Sequence, residues 1–210
     1  MLIKERGIFM NNYNTDERLK KIFDFILEID KEKEIFRQTY LADASRKEND
    51  SEHAWHMAIM TILLSEYANE EIDVLKTVTM LLIHDLVEID AGDTYAYDEE
   101  AKKTQAAREK AAADRIFSIL PDDLAVKFRS LFDESEARET KESKFARTMD
   151  NIQPIMLNAA SDGKSWAEKG VHLSQILERN SRTAEGSSSL WDFAYNEYVE
   201  PNIEKGRIKK

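Results

Sequence analysis

Four histidines occur in 210 residues, His53, His56, His84 and His172, and two of them stand in apolar segments with acids close by. His53, Met57, Met60 and Leu64 follow steps of four, three and four, which puts His53 on the inward stripe of a helix. His84-Asp85-Leu86-Val87-Glu88 interrupts a run that is otherwise apolar nearly all round. At about 100° per residue, Asp85 lies about 100° from His84 and Glu88 about 40°, so all three share one sector. Burying two carboxylates there is costly unless a cation or a hydrogen-bond network compensates them. Imidazole and carboxylate together suit divalent Mn, Co, Fe, Ni or Zn. A fourth donor, Asp150, sits in Met149-Asp150-Asn151-Ile152-Gln153-Pro154. Pro154 cannot donate to the Asp150 carbonyl, so a kink is expected beside it. The expectation is one divalent ion held by His53, His84, Asp85 and Asp150.

The elements that must position these residues read as helices. Gly and Pro together supply only 9 of the 210 residues, too few turn formers for a mostly β chain of this size. Helices are expected over 16–34, 52–68 with Ser51 as cap, 73–89 at the centre of the fold, 99–120 ended by Pro121, 122–133, 141–162, 166–180 and 190–204. Residues 37–50 read as a loop, Gly92-Asp93-Thr94 as a break, and 181–189 as a surface loop. The fold class is all-α: one globular helical domain over 15–205, after an N-terminal extension at 1–14 in which Met10 offers another start, and before a solvated basic tail at 206–210.

Charge narrows the partners. With 30 basic and 41 acidic residues the net charge is −11, which disfavours nucleic acid. No run is long enough for a membrane span, the N-terminus lacks a secretory pattern, and cysteine is absent, so the expected compartment is the cytoplasm.

His53, then His84-Asp85, then Asp150, all on helices, resembles the H…HD…D signature of the HD-domain metal-dependent phosphohydrolases. Ser51-Glu52-His53 and His84-Asp85-Leu86-Val87-Glu88…Ala91-Gly92-Asp93 are most similar to the small 5′-deoxyribonucleotidase branch. The resemblance covers roughly residues 20–200 and implies a helical HD-domain bundle. It implies that His53, His84, Asp85 and Asp150 ligate the metal, with Mn or Co favoured for activity and Mg among the alternatives. It makes Glu88 the acid–base residue or, as in some relatives, part of a second metal site, and lets Asp93 contact the sugar or position the attacking water. Arg37 resembles the family's phosphate-orienting Arg, with Arg46 as its competitor, and Gln38 stands where some members carry an aromatic residue.

A metal-activated water, proton transfer by Glu88 and a paired Arg–phosphate contact would together hydrolyse a nucleoside 5′-monophosphate. Cyclic-nucleotide phosphodiesterases and di-iron oxygenases of the superfamily use extra histidines before the last Asp, and residues 86–149 contain none. Two rivals stand beside this reading: a deoxynucleoside triphosphate triphosphohydrolase, and a non-catalytic helical module that binds a nucleotide or partner and keeps the metal for structure. Against the module, Glu88 and Asp93 are surplus to a closed structural site. The resemblance also points to a homodimer, for which Trp191, Phe193, Tyr195 and Tyr198 offer surface.

Overall fold

The computed structural model describes residues 15–92 and 99–210, so Asp93 and the 1–14 extension lie outside the described residues. Helix α1 (Thr15–Ile29) ends in a 3-10 turn over Asp30–Glu34, short of a helix continuous to 34. The expected loop at 37–50 is instead a small hairpin, β1 (Phe36–Tyr40) antiparallel to β2 (Lys47–Asn49), in which Phe36 faces Asn49 and Tyr40 faces Lys47 around an irregular register. Helix α2 (Asp50–Leu64) starts earlier than expected. Asn49, not Ser51, is its cap: the Asn49 side chain accepts from Glu52 N–H while Glu52 accepts from Asn49 N–H.

The expected helix over 73–89 is broken. Helix α3 (Val74–Ile83) stops at His84, a 3-10 turn covers Asp85–Val87, and α4 (Glu88–Ala91) ends at Gly92 with φ +72°. Nor is α3 apolar-buried all round, because Leu75 is 77% exposed. The central element is α7 (Lys141–Ala160), which packs on α2, α3 and β1 and runs on through Pro154 as one helix. Between them lie α5 (Glu99–Phe117) and α6 (Asp122–Ala137). The segment expected as one helix at 166–180 divides into α8 (Lys164–Lys169) and α9 (Leu173–Arg179) at Gly170, whose φ of +62° closes α8. The last expected helix is α10 (Ser188–Ala194), a π-turn over Tyr195–Val199 and α11 (Glu200–Glu204).

Three apolar clusters hold these pieces together. Phe25, Ile116 and Phe117 knit α1 to α5; Met57, Met80, Phe145 and Met149 knit α2, α3 and α7; Ile155, Trp166, Ile176 and Val199 close the C-terminal side. In the stretch 206–210, expected as a solvated tail, Lys209 and Lys210 are exposed, but Ile208 is buried in that last cluster, and Lys209 N–H and C=O bond to Val171 C=O and Leu173 N–H. The loop at 181–189 is likewise pinned. Thr148 Oγ1 donates to Thr183 C=O at 2.7 Å, Asn151 Nδ2 to Thr183 Oγ1 at 2.8 Å, and Ser187 Oγ to Tyr67 C=O at 2.6 Å. Among the described residues no helix is long and apolar enough to cross a membrane.

Candidate metal centre

His53 enters the site from the first turns of α2, His84 from the C-terminal end of α3, and Asp150 from the middle of α7. Asp150 Oδ1 lies 3.2 Å from His53 Nε2 and 3.9 Å from His84 Nε2. One ligand atom from each of the three residues falls within 4.8 Å of the others. The hydrogen bonds behind the rings fix which nitrogens face inward. His84 Nδ1 donates to Leu81 C=O at 2.8 Å. His53 Nδ1 meets Gln153 Oε1 at 2.9 Å, while Gln153 Nε2 donates to Glu48 Oε1 at 2.6 Å and to His56 Nδ1 at 3.2 Å. Glu48 can only accept, so Gln153 must turn its oxygen to His53, and His53 Nδ1 is the donor. Both Nε2 atoms therefore face a carboxylate oxygen, at 3.2 Å for His53 and 3.0 Å for His84. Lone pairs facing one another on buried groups call for a proton or a cation between them. His84 Nε2, buried, makes no hydrogen bond of its own among the described residues. A ring that donates from Nδ1 to a fixed acceptor and leaves Nε2 open has the arrangement of a metal-ligating histidine. The donors fit a divalent ion.

Asp85 stands beside this trio rather than in it. Its Oδ1 is 3.0 Å from His84 Nε2, and its Oδ2 accepts from Arg37 Nη1 at 2.7 Å. The 3-10 turn at Asp85–Val87 brings about that orientation. Arg37, on β1, also reaches Asp50 Oδ1 at 3.1 Å, and Asp50 in turn hydrogen-bonds with Glu88. Glu88 is buried and lines the same cavity as His84, Asp85 and Asp150.

Protonation follows from this crowding of acids. Burial pushes the His84 ring down, but Asp85 and Asp150 outweigh it and carry it up to about 9. Burial works against the ionised forms of Asp85 and Asp150 too, yet His84 and Arg37 beside the first, and Arg147 and His53 beside the second, hold both below the usual carboxylate range. Asp50 goes the other way. Burial, then the Asp85 charge, push it up to about 7 despite Arg37.

Two further expectations resolve differently. Arg46 is half exposed and pairs with Glu52 on the surface, so it does not reach the cavity. Gln38 lines the cavity's edge, but its Oε1 accepts from Lys47 Nζ at 2.7 Å across the hairpin. Several residues in and behind the cavity carry no mark in the sequence pattern: Asp50, Glu48, Gln153, Arg147 and Arg179. A signal for the first two is Asn49-x-x-Glu52, a capping pattern that starts α2 at Asp50 and leaves Glu48 on a strand. Gln153 and Arg147 lie three residues either side of Asp150, on its own face.

A model of the HD domain matches residues 29–191. The chain belongs to the HD-domain family. A crystal structure described as a predicted metal-dependent phosphohydrolase from Magnetospirillum magnetotacticum MS-1 superposes on this HD domain with a TM-score of 0.89, at 41% identity, covering 94% of this chain and 99% of that one. The 5′-deoxynucleotidase HDDC2 of Xenopus laevis is 30% identical over 122 residues, 58% of this chain and 57% of the relative. The human protein of the same name is 28% identical over 114 residues, 54% of each. The chain thus spans a little over half the length of the curated relatives it matches.

Proposed function

We propose that this HD-domain chain is a divalent-metal-dependent phosphohydrolase that removes phosphate from deoxyribonucleoside 5′-monophosphates. The observation that carries the reading is the convergence of two imidazole nitrogens and a carboxylate oxygen, with Glu88 and Arg37 lining the same cavity. The 5′-deoxynucleotidase relatives and the structural match over 94% of the chain support the reaction class. His53, His84 and Asp150 would hold the ion, and Asp85, whose Oδ1 lies beside His84 Nε2, would turn to it to complete the set. Bound there, a divalent cation supplies Lewis-acid stabilisation of the phosphoryl oxygens and lowers the pKa of water.

The chain's own residues do the rest. Arg37, already turned inward by Asp50 and Asp85, donates its N–H groups to phosphate oxygens and offsets their charge. Glu88 takes a proton from the attacking water as its oxygen bonds to phosphorus, and the 5′-oxygen leaves in line with the electron pair of the broken P–O bond, gaining a proton as nucleoside. Asp50 positions both Arg37 and Glu88 through its two contacts. Arg147, whose Nη1 holds Asp150 Oδ2 at 2.6 Å, keeps the other oxygen of that carboxylate turned to the ion. A panel of ribo- and deoxyribonucleoside monophosphates, each tested with Mn, Co, Mg and Zn, tests the reading. Phosphate release from the deoxynucleotides with at least one metal is expected, and none with any metal refutes it.

We also propose a homodimer, through a face other than the C-terminal aromatics. Trp191, Tyr195 and Tyr198 pack against the chain's own core, leaving Phe193 exposed. On α2, by contrast, Trp55 (63% exposed), Ile59, Ile62 and Leu63 form an outward stripe at helical spacing, and Leu75 and Leu82 of the adjoining α3 are also exposed. A continuous apolar face of this kind is a feature of association surfaces.

A further inference from the structure

Beside the cavity that holds the candidate metal centre lies a second one of about 160 Å³, and the two share Arg138, Arg147, Asn151 and Arg179. On a chain of net charge −11 this second cavity is cationic: Arg138, Lys144, Arg147, Arg179 and Arg182 line it. The carboxylates facing it are Glu178 and Glu185, and Glu185 is taken up in a two-pronged pair with Arg182 at 2.8 Å.

The cavity is built rather than incidental. Arg138 caps α6 with φ +56°, a left-handed conformation that helix ends usually give to glycine. A glycine there would relieve the backbone but remove the guanidinium. The far wall, 181–186, is fastened to α7 through the buried Thr183 and by Gly186, where any Cβ would collide with Lys144 C=O. Lys144 of α7 and Arg182 of that wall both line the cavity. Asn151, 2% exposed, stands between the two cavities. Its Nδ2 donates to Thr183, while its Oδ1 accepts nothing among the described residues.

We propose that this second cavity is a subsite for another phosphoryl group, so that the preferred substrate carries one phosphate at the His–Asp centre and a second against Arg179, Arg182 and Lys144. The inference rests on the phosphohydrolase reading above and extends its substrate class to nucleotides with a second phosphate. The second phosphate has two possible carriers, the sugar, as in a nucleoside 3′,5′-bisphosphate, or the phosphate chain, as in a nucleoside 5′-diphosphate.

The test compares kcat/KM of the metal-loaded chain for a 5′-monophosphate, the matching 5′-diphosphate and the matching 3′,5′-bisphosphate. One of the doubly phosphorylated nucleotides is expected to exceed the monophosphate by roughly 10- to 100-fold, the net worth of about one charge-assisted hydrogen bond. Which one does so identifies the carrier. The ratio is expected to fall toward one in K144Q/R182Q, and partly in R182Q alone, and to shrink with added salt. A wild-type ratio near one, or a ratio that the substitutions leave unchanged, overturns the subsite while leaving monophosphate hydrolysis intact. If none of the three nucleotides is turned over, the hydrolase reading fails. Calorimetric titration of the metal-loaded chain with the same nucleotides then decides the subsite by the same ratio of affinities and the same variants.

Discussion

Replacing Gln153 by Leu removes, in one step, the acceptor of the His53 Nδ1 proton and the donor to Glu48. All three side chains are buried, so water cannot stand in for the lost partners. An unsatisfied buried N–H costs about 1–3 kcal/mol, and a buried carboxylate deprived of a charge-assisted hydrogen bond costs about 1.5–3 kcal/mol more. The sum, about 2.5–6 kcal/mol, is a large part of the ~5–15 kcal/mol that separates a folded domain from its unfolded chain. The second effect is on the ion. Without Gln153 the ring is free to change tautomer, and loss of such an outer partner lowers metal affinity by roughly 10- to 100-fold. Competition against a chromophoric chelator measures the affinity, and thermal melts with and without metal measure the fold. The double variant E48Q/Q153E exchanges the two groups: the carboxylate now on α7 accepts from His53, and the amide now on β2 donates to that carboxylate. It is expected to bind metal more tightly than Q153L. Q153L binding metal with wild-type affinity while folded would show that the His53 ring is not held for coordination, and the assignment of its Nε2 to the ion would fall with it.

Glu88→Ala is expected to keep its metal and lose roughly 10²–10⁴ in kcat, the range for an acid–base group; wild-type turnover at equal metal content would remove Glu88 from the reaction. Asp50→Asn should stabilise the metal-free chain at pH 8 but not at pH 4. The Asp50 carboxyl is pushed up to about 7 in the fold, against about 3.9 in an unfolded chain, so the folded state favours its protonated form. That contribution is complete below about pH 4 and is lost as pH rises through about 7. Urea unfolding in EDTA at both pH values checks the sign, and an equal effect at each would contradict it. The wild type is expected to give a mass of two chains by light scattering, and Trp55→Glu with Ile62→Glu about one chain mass, 24.3 kDa; a wild-type mass of one chain would refute the dimer, and a dimer mass in the variant would place the interface elsewhere.

The residues of the centre were legible because each is an ionisable group on a helical face whose other positions are apolar. His53 with Met57 and Met60, and Asp150 with Met149 and Ile152, stand out by that contrast alone. Their supports were not. Lys47-Glu48-Asn49 is too short and too polar to show a strand's alternation, so Glu48 reads as solvent-facing until the hairpin turns it inward. The stop at His84 has no glycine or proline to announce it; tertiary packing imposes the 3-10 turn that sends Asp85 to Arg37. The loop at 181–189 has the composition of a mobile surface segment, and only its contacts with Thr148 and Asn151 show that it is fixed.

The distance along the chain between His53 and Asp150 is 97 residues. Joining two such points in a disordered polymer costs roughly 4 kcal/mol of closure entropy, and the third donor at His84 divides that loop rather than shortening it. The unfolded chain therefore has next to no affinity for an ion that the folded one captures. At a free-ion concentration about a hundredfold above the dissociation constant, occupancy adds about 2.7 kcal/mol to the unfolding free energy, or about 5–11 °C in melting temperature for a chain of this length. A shortfall of that size is enough to change how much of a protein survives proteolysis in a cell. Metal supply would then set the number of molecules present as well as the fraction of them able to turn over.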